Sequence, residues 1–371
     1  MKKLFLTLAA ASALLGFAAC NEVENGLVSE QTAGLNIRIV TPDALGTKAP
    51  GDTGADLTVR GNEATLNNVT VFLFDAGGNL IVDGKQAATI AAGEATASWA
   101  KVRVGTYTCA AVANFGSATN DPFANVSTLT ALETLAAGLG DNDPASGFVM
   151  AGKGTVTVNP TEGTNNANAG EVKISRLVSR IRLVSVENKL NAAYTDFTVD
   201  QVFVINGNSA WNIGGNGEPT AYFNWAGRTA GNSNKAGAWG DAGNYIIKGA
   251  ADAQFANMTF AAPAKAVAPG VVEPFDLPFY TLQNAGTEDH FDGPTDGAVL
   301  TRLVVRASFG GNTYFYPVTI NKVERNKTYD VIISISGPGS DDPNKGVSTG
   351  ALNVTISLAE WGDGGVTTVN F

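Results

Sequence analysis

Patterns able to do covalent or acid–base catalysis are scarce in these 371 residues, since no spacing singles out a pair among the 34 acids. The single histidine, His290, lies in Glu288-Asp-His-Phe-Asp292, so a metal site needing two or more imidazoles is excluded. Any Ser-His-Asp relay would have to use the same ring, and no Gly-x-Ser-x-Gly nucleophile elbow is expected in the chain. Cys109 sits inside the apolar run Tyr107-Thr-Cys-Ala-Ala-Val112, where desolvation disfavours the thiolate that a nucleophile needs. No Gly-x-Gly-x-x-Gly or Gly-x-x-x-x-Gly-Lys-Ser/Thr run follows a strand, so no cofactor is expected. Asp141-Asn-Asp143 and Asp341-Asp342 offer oxygens that calcium accepts, but lack the spacing of a dedicated loop and read as surface turns. The expectation is a protein that is neither an enzyme nor a metal carrier.

One cysteine does promise covalent chemistry. Lys2 and Lys3, the apolar stretch Leu4 to Phe17, and Ala18-Ala19 before Cys20 form a secretory signal too short to be a membrane span. A cysteine directly after small residues resembles the lipobox of bacterial lipoproteins, with Phe17 where Leu is usual. That resemblance implies that Cys20 takes a diacylglyceryl group, and several acyl chains then hold the protein at the outer membrane, each buried CH₂ contributing about 0.8 kcal/mol. With Cys20 lipidated, Cys109 has no partner, so no disulfide frames the fold.

A hydrophobic core must hold the fold together, and 44% hydrophobic content over this length suffices for two domains. The formal charge is −10, or −12 once the signal with its two lysines and no acids is gone, which disfavours nucleic acid as a partner. The 43 glycines and a charged fraction of only 16% suit an all-β extracellular protein with many turns. Strands are expected at 35–40, 69–74 (VTVFLF, apolar on both faces), 80–82 after a Gly77-Gly78-Asn79 turn, and twice within 99–114 around Gly105. Further strands are expected at 172–184, 197–205, 275–282, 300–309, 314–320 and 329–336. The best helix candidate is 128–139, where Leu129, Leu132 and Leu135 share a face. Arg176, Arg180 and Arg182 fall on one strand parity and read as a basic, wet face. The aromatics between Trp211 and Tyr245 read as pinning a long loop to its sheet, with sugar stacking as the rival use. The division expected is a signal at 1–19, an N-terminal segment at 20–60, and two β-sandwich-like domains, mainly antiparallel with few short helices, at 61–170 and 171–371.

Several runs in order resemble the fimbrillin family of Bacteroidia, the subunits of type V pili. They are the lipobox-like signal, LNNVTVFLFDAGG (66–78), GTYTCAAVANFG (105–116), ISRLVSRIRL (174–183), NTYFYPVTIN (312–321) with RNKTYDVIISISGPG (325–339), and a tail containing Trp361. The resemblance implies a two-domain β-sandwich exported as a lipoprotein, cut by an Arg-specific surface protease and polymerised by strand exchange. Carried onto this sequence, the cut falls after Arg60, before Gly61, with Lys48 as an earlier candidate.

The two ends of the chain fit that scheme. Leu35-Asn-Ile-Arg-Ile-Val40 and Leu352-Asn-Val-Thr-Ile-Ser-Leu358 both begin Leu-Asn and both alternate. Leu35, Ile37 and Ile39 are matched by Leu352, Val354 and Ile356, so a groove shaped for one row of knobs could accept the other. The first is expected to be a removable plug strand and the second, within 350–371 and including Leu358, the donor strand. The partners implied are like pilus subunits, the protease, the outer membrane before processing, and a host surface protein or glycan, in support of adhesion. The alternatives are a membrane-anchoring subunit of the same family, or a monomeric glycan-binding surface lipoprotein using the 211–245 aromatics.

Overall fold

The computed structural model describes residues 31–41, 62–116, 120–160, 167–208, 210–215, 225–226, 264–284, 300–343, 345–348, 350–360 and 366–370. Cys20, Lys48, Arg60, Gly61, His290 and Trp361 lie outside the described residues.

The chain is all-β. The first half contributes β1 (Thr32–Val40), β2 (Val69–Phe74), β3 (Leu80–Ala87), β4 (Thr89–Ala91), β5 (Glu94–Arg103), β6 (Gly105–Ala113), β7 (Ala136–Gly138), β8 (Met150–Val158), β9 (Ala167–Lys173) and β10 (Ser175–Arg176). The second contributes β11 (Val178–Asn188), β12 (Thr198–Ile205), β13 (Gly207–Asn208), β14 (Ala210–Asn212), β15 (Trp225–Ala226), β16 (Lys265–Ala266), β17 (Val272–Leu282), β18 (Thr301–Phe309), β19 (Asn312–Ile320), β20 (Lys327–Ile335), β21 (Leu352–Glu360) and β22 (Val366–Asn370). Among the described residues four main sheets form, ordered β4-β5-β1-β9, β10-β8-β6-β2-β3, β17-β11-β20-β21-β22 and β16-β12-β18-β19.

The first two sheets enclose a core in which Leu35, Ile37, Val71, Leu73, Cys109 and Val156 meet. Alternate residues of β2 point the other way: Phe72 and Phe74 join Phe123 and Leu132 in a larger core that runs on through Ile181, Val305, Tyr316 and Val331. The both-faced hydrophobicity of VTVFLF follows from this, since its sheet is covered on each side. At the end of β2, Asp75 Oδ1 accepts from the amides of Gly77 and Asn79 (2.9 Å each), and Gly78 takes φ +77°, closing the expected hairpin.

The expected helix is shorter than the sequence suggests. It spans Leu129–Glu133, capped by the Thr128 hydroxyl accepting from the Ala131 amide at 3.1 Å. Leu132 is buried and Leu129 and Leu135 pack beside it, so the shared face is real. The helix stops because Ala136–Gly138 is drawn into an antiparallel pair with Ala210–Asn212, an interaction no local pattern reveals. Trp211, opposite Ala137 in that pair, is 2% exposed and part of the larger core.

Candidate functional site

The strand β1 occupies an interior position. It pairs antiparallel with β5 on one side and parallel with β9 on the other. Its ends are fastened too, with the Gln31 carbonyl accepting from the Val104 amide and the Val40 carbonyl from the Ile174 amide (2.9 Å each). Leu35, Ile37 and Ile39 are buried at 0%, 0% and 2% exposure, as the alternation of LNIRIV demands when one face meets a core. Each knob has one neighbour per wall: Trp99 and Asn168 beside Leu35, Ala97 and Gly170 beside Ile37, Ala95 and Val172 beside Ile39. On the opposite face Arg38 reaches both walls, donating to Glu94 at 3.0 Å and to Glu171 at 3.3 Å. The hydrogen bond to Glu94 leads in raising the Arg38 pKa, but these exposed pairs add little to stability.

The C-terminal strand β21 sits in a different sheet, antiparallel to β20 in a register running from Lys327↔Glu360 to Ile335↔Leu352, with β22 on its outer side. Ile356 is buried, and Leu352, Val354 and Leu358 are partly buried against the larger core, while Asn353 is exposed. The two matched strands thus present their aliphatic rows to different cores of the one chain, and the structure does not bring them together.

Just after the expected cut lies a cluster that the sequence reading missed. Arg180 and Arg182 lie on β11 but Arg176 on β10, in a different sheet, so the expected single strand face is broken; at 0%, 9% and 0% exposure the three form a dry cluster in place of a wet, basic face. The reason is Glu63, itself 0% exposed. Both of its carboxylate oxygens accept from Arg180 Nη1 at 3.2 Å, and Oε1 also accepts from the Tyr280 hydroxyl at 2.7 Å. Its backbone carbonyl accepts from Arg176 Nε at 2.8 Å. Next along β11, Arg182 forms a two-pronged pair with Asp330, its Nε donating to Oδ1 at 2.8 Å and its Nη2 to Oδ2, and meets Asp276 at 2.8 Å. Buried charges survive only when matched in this way. Glu63 stands in a polar run with nothing to mark it; the usable signal was the arginine triplet itself, whose charges had to be met by something.

Arg325 ties the halves differently. Its Nη2 donates to the carbonyls of Ala151 (3.0 Å) and Ser175 (3.1 Å), and its Nη1 to that of Ile213 (3.3 Å). Burial lowers its pKa to about 10.

Catalytic candidates gain no support from their surroundings. Burial pushes the Cys109 thiol up to about 12, the opposite of activation. Asp141 accepts from the Gly138 amide at 2.7 Å and Asp143 from the Ala145 amide at 2.8 Å, so both carboxylates close turns. No group of three metal-ligating side chains gathers among the described residues. Contrary to the expectation that no elbow occurs, Gly346-Val-Ser348-Thr-Gly350 spells the nucleophile-elbow pattern. It precedes a strand, β21, where the elbow needs a following helix.

Comparison with known proteins agrees with this architecture. The family model described as major fimbrial subunit protein (FimA) matches residues 33–238, just over half of the chain. The major fimbrium subunit FimA type-2 of Porphyromonas gingivalis is 37% identical over 70 residues, a stretch covering 18% of this chain and 18% of that relative. A cell adhesion protein from Bacteroides eggerthii shares the fold, with a TM-score of 0.59 and 22% identity over 91% of this chain and 97% of the other. A fimbrilin from Porphyromonas gingivalis W83 does so with a TM-score of 0.58 and 18% identity over 90% and 98%. The family model matches more than half of the chain, and this chain therefore belongs to the FimA family of major fimbrial subunits.

Proposed function

We propose that this chain is a structural subunit of a cell-surface fimbrium, exported as a lipoprotein through Cys20, cut after Arg60 and polymerised by donor-strand exchange. The observation that carries this reading is β1: a strand with three fully enclosed aliphatic knobs lies in the middle of a sheet, yet it precedes the Arg60–Gly61 bond. Once that bond is cut, β1 is held by its groove alone. The chain after the cut stays fixed, because Glu63 is anchored through its side chain to Arg180 and through its backbone to Arg176. Departure of β1 leaves β5 and β9 with unpaired backbone edges on either side of an apolar slot, which a strand from another copy satisfies with main-chain hydrogen bonds. The C-terminal strand supplies a matching row in Leu352, Val354, Ile356 and Leu358, and in this reading it leaves β20 to do so. Fibres of such subunits support adhesion at the cell surface.

The test is processing followed by assembly. Digestion of the folded precursor with trypsin should give one stable product beginning at Gly61, and that product should ladder on a non-boiled gel and form fibres in the electron microscope. Deletion from Gly350 onward should abolish the ladder. Normal fibres from an Arg60→Ala precursor, or from the truncated chain, would overturn the reading.

A further inference from the structure

Along β9 the residues lining the first core are Asn168, Gly170 and Val172, each beside one knob of β1. Gly170 is the exception in size. A Cβ placed on it would lie 2.8 Å from Ile37 Cδ1 and 2.9 Å from Val156 Cγ2, closer than carbon atoms approach. A glycine inside a strand commonly marks such a close approach. Opposite it, on β5, the neighbour of Ile37 is Ala97, 1% exposed, so the middle of the slot is flanked by the two smallest side chains available. The Ile37 δ-methyl fills the space that Gly170 leaves.

The two strand sequences differ at this point. Aligned through their common Leu-Asn start, and running in the same direction as β1, the C-terminal strand sets Leu352 on the Leu35 site, Val354 on the Ile37 site and Ile356 on the Ile39 site. Valine lacks the δ-methyl. We infer that Gly170, with Ala97, forms a selectivity notch for an isoleucine δ-methyl, and that at this site the groove prefers Ile37 of its own β1 to Val354 of an incoming C-terminal strand. This rests on the strand-exchange reading above. In consequence the notch favours the precursor over the polymer at this site, so severing the tether to β1, rather than a better-fitting donor at this position, drives the exchange. A donor carrying isoleucine here would invade more readily.

The experiment has two arms, so that failure of the notch and failure of strand exchange are told apart. In the intact precursor, hydrogen exchange of the β1 amides is followed with the β6 amides as reference. Ile37→Val should lower β1 protection about twofold to tenfold, as buried Ile→Val changes do. In a Gly170→Ala, Val156→Ala background, where the notch is filled and the Val156 contact relieved, the same change should have no effect or raise protection. In the second arm, fluorescent peptides spanning 350–360 are titrated onto the trypsin-nicked protein. The Val354→Ile peptide should bind about twofold to tenfold tighter than the natural one, an advantage lost in the Gly170→Ala, Val156→Ala protein. An Ile37→Val effect of equal size in both backgrounds, or a Val354→Ile peptide that binds no tighter, would overturn the notch. Absence of binding by either peptide, with the Ile37 result intact, would overturn the donor half of the inference together with strand exchange. If the doubly substituted protein does not fold, the Ile37→Val and Val354→Ile comparisons in the natural background still decide the matter by sign.

Discussion

Removing both partners of the Glu63–Arg180 pair should destabilise the protein by clearly less than the sum of removing each alone. The two side chains are each 0% exposed, and Arg180 Nη1 lies 3.2 Å from both carboxylate oxygens. Loss of one member of such a pair typically costs about 3–5 kcal/mol, because the remaining charge stays in a dry site. That is a large share of the roughly 5–15 kcal/mol by which domains are stable. Arg180→Met should therefore lower the unfolding free energy by about 3 kcal/mol or more, a population shift of at least about a hundredfold. Glu63→Gln should cost less than Arg180→Met, since Gln still offers an oxygen to Tyr280, which now donates at 2.7 Å. The double variant should be milder than the sum of the two by about 2 kcal/mol, as the isolated charge is gone. Urea titrations followed by tryptophan fluorescence measure all four proteins, with unchanged slopes confirming a common transition. Additivity of the two single changes to within about 0.5 kcal/mol would refute the idea that the pair acts as a unit.

Three further outcomes are expected. Since burial raises the Cys109 thiol from 9.0 to about 12, the unfolded chain loses that proton first, so stability falls as pH rises from 9 towards 12; denaturant titrations of Cys109→Ala should show a shallower fall there, and parallel curves would refute the assignment. In the intact precursor, Ile356→Asp should cost at least about 3 kcal/mol, because it loses a buried aliphatic group and leaves a carboxylate in the core. Asn353→Asp, on the exposed parity, should stay within about 0.5 kcal/mol by the same thermal or urea assay. Cys20→Ser should abolish incorporation of a labelled fatty acid into the precursor, and equal labelling of both proteins would remove the lipoprotein step from the proposal.

Alternation carried most of what the sequence made legible. LNIRIV and the runs ending at Ile320 and Ile335 show the apolar alternation of strands with a buried face, and VTVFLF the continuous apolar run of a strand covered on both, and each forms where the sequence places it. What the sequence hid depends on contacts between distant segments. The helix at Leu129–Glu133 ends early because Ala136–Gly138 finds Ala210–Asn212, over seventy residues on. Arg176 and Arg180 looked solvated because their partner, Glu63, is more than a hundred residues away and unremarkable in its own neighbourhood. In the sequence Gly170 marked only the expected end of the first domain, whereas its value lies in the side chain it lacks beside Ile37. In the candidate site, the aliphatic rows of both end strands were readable, while the walls that receive them were not.

The sheet built around β2 has a mechanical consequence. Val71 and Leu73 belong to one core and Phe72 and Phe74 to the other, so a single hydrogen-bonded layer serves as the wall of both. Neither core can melt without stripping a face from the strand that seals its neighbour, which makes the subunit one cooperative unit in place of two beads on a string. Among the described residues, the shared layer leaves a fibre of such units no separate link between the two cores that could yield early and dissipate load. If subunits join by the strand exchange proposed above, strain is borne at those joints, where a strand held by hydrogen bonds along its whole length resists sliding until many of those bonds fail together.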